Sequence, residues 1–129
     1  MKKRILLVDD DTEILNMLKL TLRVWSPGTQ IVAANNGLDA LVQLQLHGGV
    51  QPFDIVLTDY DMPIMNGLDL AREIRQKWPD IHIILMSSGQ FEMDVQNNAE
   101  RQAYDDFIKK PFVMQQVKQI LLNNPEILQ

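Results

Sequence analysis

Short apolar runs and stretches of helical period alternate five times along this chain. The runs predict strands at Arg4–Val8, Gln30–Ala34, Asp54–Thr58 and His82–Met86, and a fifth at Phe107-Ile108 with a neighbour or two. The first helical stretch, Thr12–Trp25, puts Ile14, Leu15, Leu18, Leu22 and Trp25 on one stripe at three- and four-residue spacing. Ser26-Pro27-Gly28 stops it. A second helix opens at Asn35-Asn36-Gly37, turns Leu38, Leu41, Val42 and Leu46 inward, and ends at Gly48-Gly49. A third starts near Gly67, buries Leu68, Ala71, Ile74 and Trp78, and closes at Pro79. The last helix, Val113–Leu122, directs Val113, Val117, Ile120 and Leu121 to the core.

The strands read as continuous apolar runs, not as alternating ones. That pattern marks strands covered on both faces, hence a parallel sheet wrapped by helices with right-handed crossovers. The fourth helical stretch differs. Between Ser88 and Asp105 the apolar residues are Phe91, Met93, Val95, Ala99 and Ala103, thinly spread among Gln, Asn and Glu. Packing supplies most helical stability, so this helix is expected to be the most mobile element.

Composition changes that picture little. A chain of 129 residues with 46% apolar content makes one ordinary globular domain. A net charge of -5 argues against a nucleic-acid surface. Without cysteine there is neither a disulfide nor thiol chemistry, which fits a reducing compartment. Met1-Lys2-Lys3-Arg4 resembles the basic start of a signal peptide, but the apolar run behind it stops at Asp9, far short of the ~7–15 residues required. No run reaches the roughly 20 apolar residues of a membrane span. A cytoplasmic protein is expected.

The chemistry collects where strands end. Asp9 and Asp10 follow the first strand, Asp59 and Asp61 the third, Ser87 the fourth, and Lys110, before Pro111, the fifth. Ligands of open parallel sheets bind outside the carboxyl ends of the strands, so these residues should converge. Clustered carboxylates are oxygen ligands for Mg²⁺, while a hydroxyl and an ammonium hold a phosphoryl group. Each residue also has a plainer role: Asp10 or Asp11 as a helix cap, Asp59–Asp61 as a turn before Pro63, Ser87 as a strand-end hydroxyl, Lys110 as a surface lysine. A cis bond before Pro111 would aim Lys110 back across the strand ends. His47 and His82 lack ligand-like spacing and are expected to be structural or exposed.

Three stretches, Ile5–Asp10, Asp54–Gly67 (DIVLTDYDMPIMNG) and Asp105–Phe112 (DDFIKKPF), resemble the receiver domain of two-component response regulators, in order and in spacing. The resemblance covers nearly the whole chain, residues 1–125, with a short tail behind. It implies an α/β flavodoxin-like fold with five parallel strands in the order 2-1-3-4-5, the arrangement cited for this class. It implies that Asp59 accepts a phosphoryl group from a sensor kinase phosphohistidine. Asp10 would then bind Mg²⁺ directly, Asp9 through water, and Asp61 through its backbone carbonyl. Ser87 and Lys110 would take the phosphoryl oxygens, and Phe107 would be the switching aromatic. The implied partners are a sensor histidine kinase or phosphotransfer protein, and an effector or output domain met by the face of the fourth helix, fifth strand and fifth helix. A phosphorylation-dependent homodimer belongs to the same picture; direct nucleic-acid binding and membrane insertion do not.

Two rivals stand beside it. Asp59-Tyr60-Asp61 resembles the Asp-x-Asp of haloacid-dehalogenase-type phosphatases, which would make the chain an enzyme for external phosphomonoesters. That family, however, carries the motif on its first strand and has Thr or Val where Pro63 stands. A receiver-like module that binds partners without phosphorylation is the other, and the complete set Asp9, Asp10, Asp59, Ser87 and Lys110 argues against it.

Overall fold

The computed structural model describes residues 3–87, 103–110 and 114–123, without the side chains of 114 and 121–123. Five parallel strands form one sheet, β1 (Arg4–Val8), β2 (Gln30–Ala34), β3 (Ile55–Asp59), β4 (His82–Ser87) and β5 (Asp106–Lys109), in the order β2-β1-β3-β4-β5. The helices are α1 (Thr12–Trp25), α2 (Gly37–His47), α3 (Gly67–Lys77) and a last helix, Met114–Asn123. The fourth predicted helix, apart from Ala103, lies outside the described residues, as do Pro111 and Val113.

The continuous apolar runs are explained by two separate cores. In β1, Leu6 and Val8 join the core under α2 and α3, while Ile5 and Leu7 join the one under α1 and the last helix. β4 divides likewise, Ile83 and Leu85 to one side, Ile84 and Met86 to the other. Side chains alternate across a strand, so a strand buried on both faces must be apolar at every position. Leu15, Leu18 and Leu22 of α1 are buried as the stripe requires, with Ile14 and Trp25 at its margin.

Helix ends are set by short polar side chains. Asp11 caps α1, accepting the Glu13 N–H at 2.9 Å and the Ile14 N–H at 3.4 Å. Asn36 and Asn66 cap α2 and α3, each accepting an N–H at 2.8 Å from Asp39 and Asp69. The capping role thus falls to Asp11 and leaves Asp10 uncommitted.

α2 faces the other way from the sequence expectation. Gly37, Ala40 and Leu44 are buried, and Leu41 is half-buried. Leu38, Val42 and Leu46 point to solvent. The helix has apolar stripes on two opposite faces, and the one with small residues lets it approach the sheet. Both histidines are structural: His47 bonds the Gln43 carbonyl at 2.9 Å and tilts against the Phe53 ring, and His82 bonds Asp106 at 2.6 Å.

Candidate phosphoacceptor site

Parallel pairing brings the strand ends together. β3 sits between β1 and β4, so Asp59, its last residue, stands beside the end of β1 on one side and Met86-Ser87 on the other. The Tyr60 N–H donates to the Met86 carbonyl at 2.8 Å, and the Lys110 N–H donates to the Ser87 carbonyl at 2.7 Å. Each bond extends the sheet by one residue at the rim. Asp9 is held by its N–H to the Ala34 carbonyl at 3.2 Å, and its carboxylate accepts the Asp11 N–H at 2.9 Å.

One carboxylate oxygen each from Asp9, Asp10 and Asp59 lies within 4.8 Å of the other two. Asp9 and Asp59 are buried, while Asp10 is exposed at the mouth. Lys110 reaches into the group, its Nζ 3.0 Å from Asp59 Oδ1 and 3.5 Å from Asp9 Oδ2. The closer contact leaves Asp59 Oδ1 buried against the ammonium. Among the described residues, three carboxylates thus face one ammonium.

Burial of these charges shows in their proton affinity. Loss of water raises the Asp59 carboxyl from 3.8 to about 6, against the opposing pull of Lys110. Burial raises Asp9 as well, although the Asp11 N–H and Lys110 oppose it. Burial by itself would lower Lys110, but Asp59 and Asp9 outweigh it and hold the ammonium protonated. Small cations with a preference for oxygen fit such a group. The ligand atoms are all carboxylate oxygens, and their negative charge exceeds that of the ammonium beside them.

Of the residues singled out in the sequence, Asp9, Asp10, Asp59, Ser87 and Lys110 gather at this rim. Ser87 is fully buried at the end of β4. The Asp61 carboxylate is exposed and outside the group of three, but its backbone N–H bonds the Asp59 carboxylate. Phe107 is half-buried in β5 opposite Leu85, against the core under α2 and α3.

Two supporting residues escaped the sequence reading. A Cβ on Gly67 would overlap the Asp59 carbonyl oxygen and stand 2.9 Å from Tyr60 Cα, so only glycine lets α3 start against the Asp59-Tyr60 turn. Ile64 holds φ at 72° in the loop between Asp61 and α3. A β-branched side chain there is strained. The glycine followed a capping asparagine, a detectable signal; the isoleucine gave none.

The sequence matches the response regulator receiver domain family over residues 5–122, and the chain belongs to that family. A probable transcriptional regulatory protein of Picosynechococcus is 34% identical over 119 residues, 90% of this chain and 46% of that protein. The DNA-binding response regulator MtrA of Mycobacterium tuberculosis is 35% identical over 112 residues, 87% of this chain and 46% of that one. The chain therefore spans about half the length of these curated relatives. Among solved structures, the response regulator TrrA of Thermotoga maritima, in complex with Mg²⁺ and BeF, superposes with a TM-score of 0.77. It is 34% identical and covers 94% of this chain and 97% of that one. A receiver domain protein of Clostridium thermocellum shares the fold at a TM-score of 0.79 and 24% identity, covering 98% and 99%.

A receiver domain is a phosphoacceptor switch of two-component signalling, and this chain is a receiver domain. The haloacid-dehalogenase-type alternative has no support. Asp59 ends the central strand, and the other acidic pair follows the strand beside it. Among the described residues no helix is long and apolar enough to cross a membrane.

Proposed function

We propose that Asp59 is the phosphoacceptor, phosphorylated by a sensor kinase phosphohistidine or by a small phosphodonor. The observation that carries this reading is the Asp59 carboxylate itself. It is buried, lies at the centre of the strand ends and has Lys110 at 3.0 Å on Oδ1. An Asp59 oxygen forms the new bond to phosphorus as the bond to the donor breaks, and the donor leaves with that electron pair. With its pKa near 6, Asp59 is mostly ionised at neutral pH and more basic than an ordinary aspartate, which favours attack.

Lys110 then shifts from the carboxylate to the phosphoryl oxygens, and the Ser87 hydroxyl binds another. Asp9, Asp10, Asp59 and the Asp61 carbonyl would hold Mg²⁺. The cation supplies charge neutralisation for the phosphoryl oxygens, which transfer of this kind needs. The chain supports its own phosphorylation and dephosphorylation and turns over no external phosphomonoester. The signal leaves through Ser87 and Phe107 to the face of the fourth predicted helix, β5 and the last helix. The partners are a histidine kinase or phosphotransfer protein and an effector or output domain; the relatives' names point to transcriptional output. A cytoplasmic site of action follows from such partners.

Incubation with Mg²⁺ and acetyl phosphate should add one phosphoryl mass, and Asp59→Asn should add none, since the amide keeps the shape but is a poor nucleophile. Equal labelling of the variant would overturn the assignment. Hydrogen exchange after phosphorylation should change most between Ser87 and Phe107, and a change confined to α2 and α3 would remove the proposed output face.

A further inference from the structure

α2 is apolar on the side that faces water. Leu38 is 48%, Val42 49% and Leu46 73% exposed, at four-residue spacing along one line. Val50, past the glycines that end the helix, is also exposed, at 83%. A helix of a monomer with one covered face normally has polar residues opposite it. α2 has none of the Lys, Arg or Glu that would serve; its sequence GLDALVQLQLH contains one fixed charge, Asp39. α3 keeps a charged outer face, with Arg72, Glu73 and Lys77, whereas α1 sets Arg23 beside its exposed Met17, Leu20 and Val24.

We propose that α2 is the contact through which two copies of this chain associate, antiparallel about a two-fold axis at Val42. The line reads Leu–Val–Leu in either direction. A two-fold axis at its centre therefore sets the shorter Val42 against itself and Leu38 against the partner's Leu46, as an isologous contact demands. Matching rows of i, i+4 spacing also pack into each other as ridges.

Charge selects both the occupant and the orientation. At a net charge of -5 two copies repel wherever their surfaces are acidic, and the Leu38, Val42 and Leu46 stripe lets them meet without a charge between them, free of the Arg23 that borders the apolar residues of α1. A foreign charged partner would find nothing there to pair with. In a parallel pair the two Asp39 carboxylates would lie side by side. In the antiparallel pair each lies three residues from the axis, which separates them by about 9 Å along the helices. The stripe is smaller than the ~20–30 residues a side of a stable interface, so the dimer is weak and depends on concentration. It is distinct from the β5 face and requires no phosphoryl group.

Sedimentation velocity across a wide concentration series should show a reversible monomer–dimer equilibrium. Val42→Asp places two carboxylates face to face on the axis and should weaken the dimer by about a hundredfold or more. Val42→Lys should do the same alone, and an equimolar mixture of the two variants should form a heterodimer. Val42 is half-exposed, so circular dichroism should show parent-like folding of both variants. Because the chain has no cysteine, Val42→Cys should crosslink to itself under oxidation, whereas Leu20→Cys on α1 should not. A chain monomeric at every concentration would overturn the proposal. So would a dimer that survives Val42→Asp, or variants that fail to recombine.

Discussion

The two ends of the sheet use the same residue types to opposite effect. At the amino ends of β4 and β5, Arg75 donates to the carbonyls of Pro79, Ile81 and Ala103 at 2.7, 3.0 and 3.3 Å and to Asp105 at 2.7 Å. Asp105 also accepts the Ile83 N–H at 2.8 Å, and His82 bonds Asp106 at 2.6 Å. At the carboxyl ends, Lys110 is, among the described residues, the one cation facing Asp9, Asp10 and Asp59. Asp105 and Asp106 are partly open to water, whereas Asp9 and Asp59 are buried. At one end every acceptor named has its donor, with Arg75 Nε the one donor left over, and the cation fastens the chain entering β5 to the end of α3. At the other, negative charge is left over, and the excess is what suits that end to the proposed cation and phosphoryl group. Balance makes a clasp; imbalance makes a site.

The largest expected effect breaks the clasp. Arg75→Ala leaves the carbonyls of Ile81 and Ala103 and the Asp105 carboxylate without their donor. Orphaned partners of a charged group cost more than an exposed ion pair is worth. We expect a loss of about 2–3 kcal/mol in urea unfolding. Asp69, which pairs with Arg72 at 3.1 Å on the surface of α3, provides the contrast: Asp69→Asn should cost well under ~1 kcal/mol for the charge pair. Equal losses for the two variants would mean that Arg75 is no clasp.

Neutralising a charge at the other end should have the opposite sign. Asp59 has its folded pKa raised to about 6, so its protonated form favours the fold. That contribution is complete below the unfolded value near 4 and is lost as pH rises through about 6. Each pKa step corresponds to about 1.4 kcal/mol, which bounds the cost of the ionised form at roughly 3 kcal/mol. Asp59→Asn removes the cost and also the Lys110 pair. A net gain of about 1–2 kcal/mol is expected for the metal-free protein at pH 8, shrinking as the pH falls to 4. A variant less stable than the parent at pH 8 would show that the Lys110 pair outweighs burial.

Backbone strain is also confined to the site end. Ile64 is the sole non-glycine residue with positive φ among the described residues, and its side chain is 84% exposed. The left-handed conformation costs about 1–2 kcal/mol for an ordinary residue, while the side chain gains little from burial there. Ile64→Gly relieves the strain but frees the unfolded chain, so the net gain should be about 0.5–1 kcal/mol in the denaturation midpoint. A loss would show that the loop relies on the isoleucine side chain.

Much of this contrast was legible in the sequence. Strands buried on both faces announce themselves as continuous apolar runs, and in a parallel sheet the residue after each run belongs to one rim. That is why Asp9, Asp10, Asp59, Ser87 and Lys110 could be grouped from positions as far apart as 9 and 110. β3 and β4 each extend one residue further than expected, which places Asp59 and Ser87 inside their strands. The facing of α2 was not legible. Leu38, Leu41, Val42 and Leu46 fit helical spacing as well as Ala40 and Leu44 do, and spacing cannot say which of two apolar stripes meets the sheet. Gly67 and Ile64 act through backbone position, which side-chain chemistry does not encode. The clasp was missed because Arg75 binds mostly carbonyl oxygens, which every sequence has everywhere.

The smallest expected effect tests how far the excess charge extends. Asp61 follows Asp59 by two residues, yet its carboxylate is exposed and outside the cluster, and its link to the site is a backbone N–H. Water screens an exposed charge and salt screens it further, whereas a direct ligand is hardly affected by either. Asp61→Asn should therefore weaken Mg²⁺ binding by about two- to fourfold at low salt. The difference should nearly vanish at about 1 M monovalent salt, where the Debye length is near 3 Å. Asp10→Ala should remove most of the binding, and with it the rise in thermal midpoint that Mg²⁺ gives the parent. Titration calorimetry of the three proteins at low and high salt separates the cases. A loss in Asp61→Asn that persists at high salt and matches that of Asp10→Ala would make Asp61 a direct ligand through its side chain. The boundary between the buried cluster and its screened surroundings would then have to move outward by one residue.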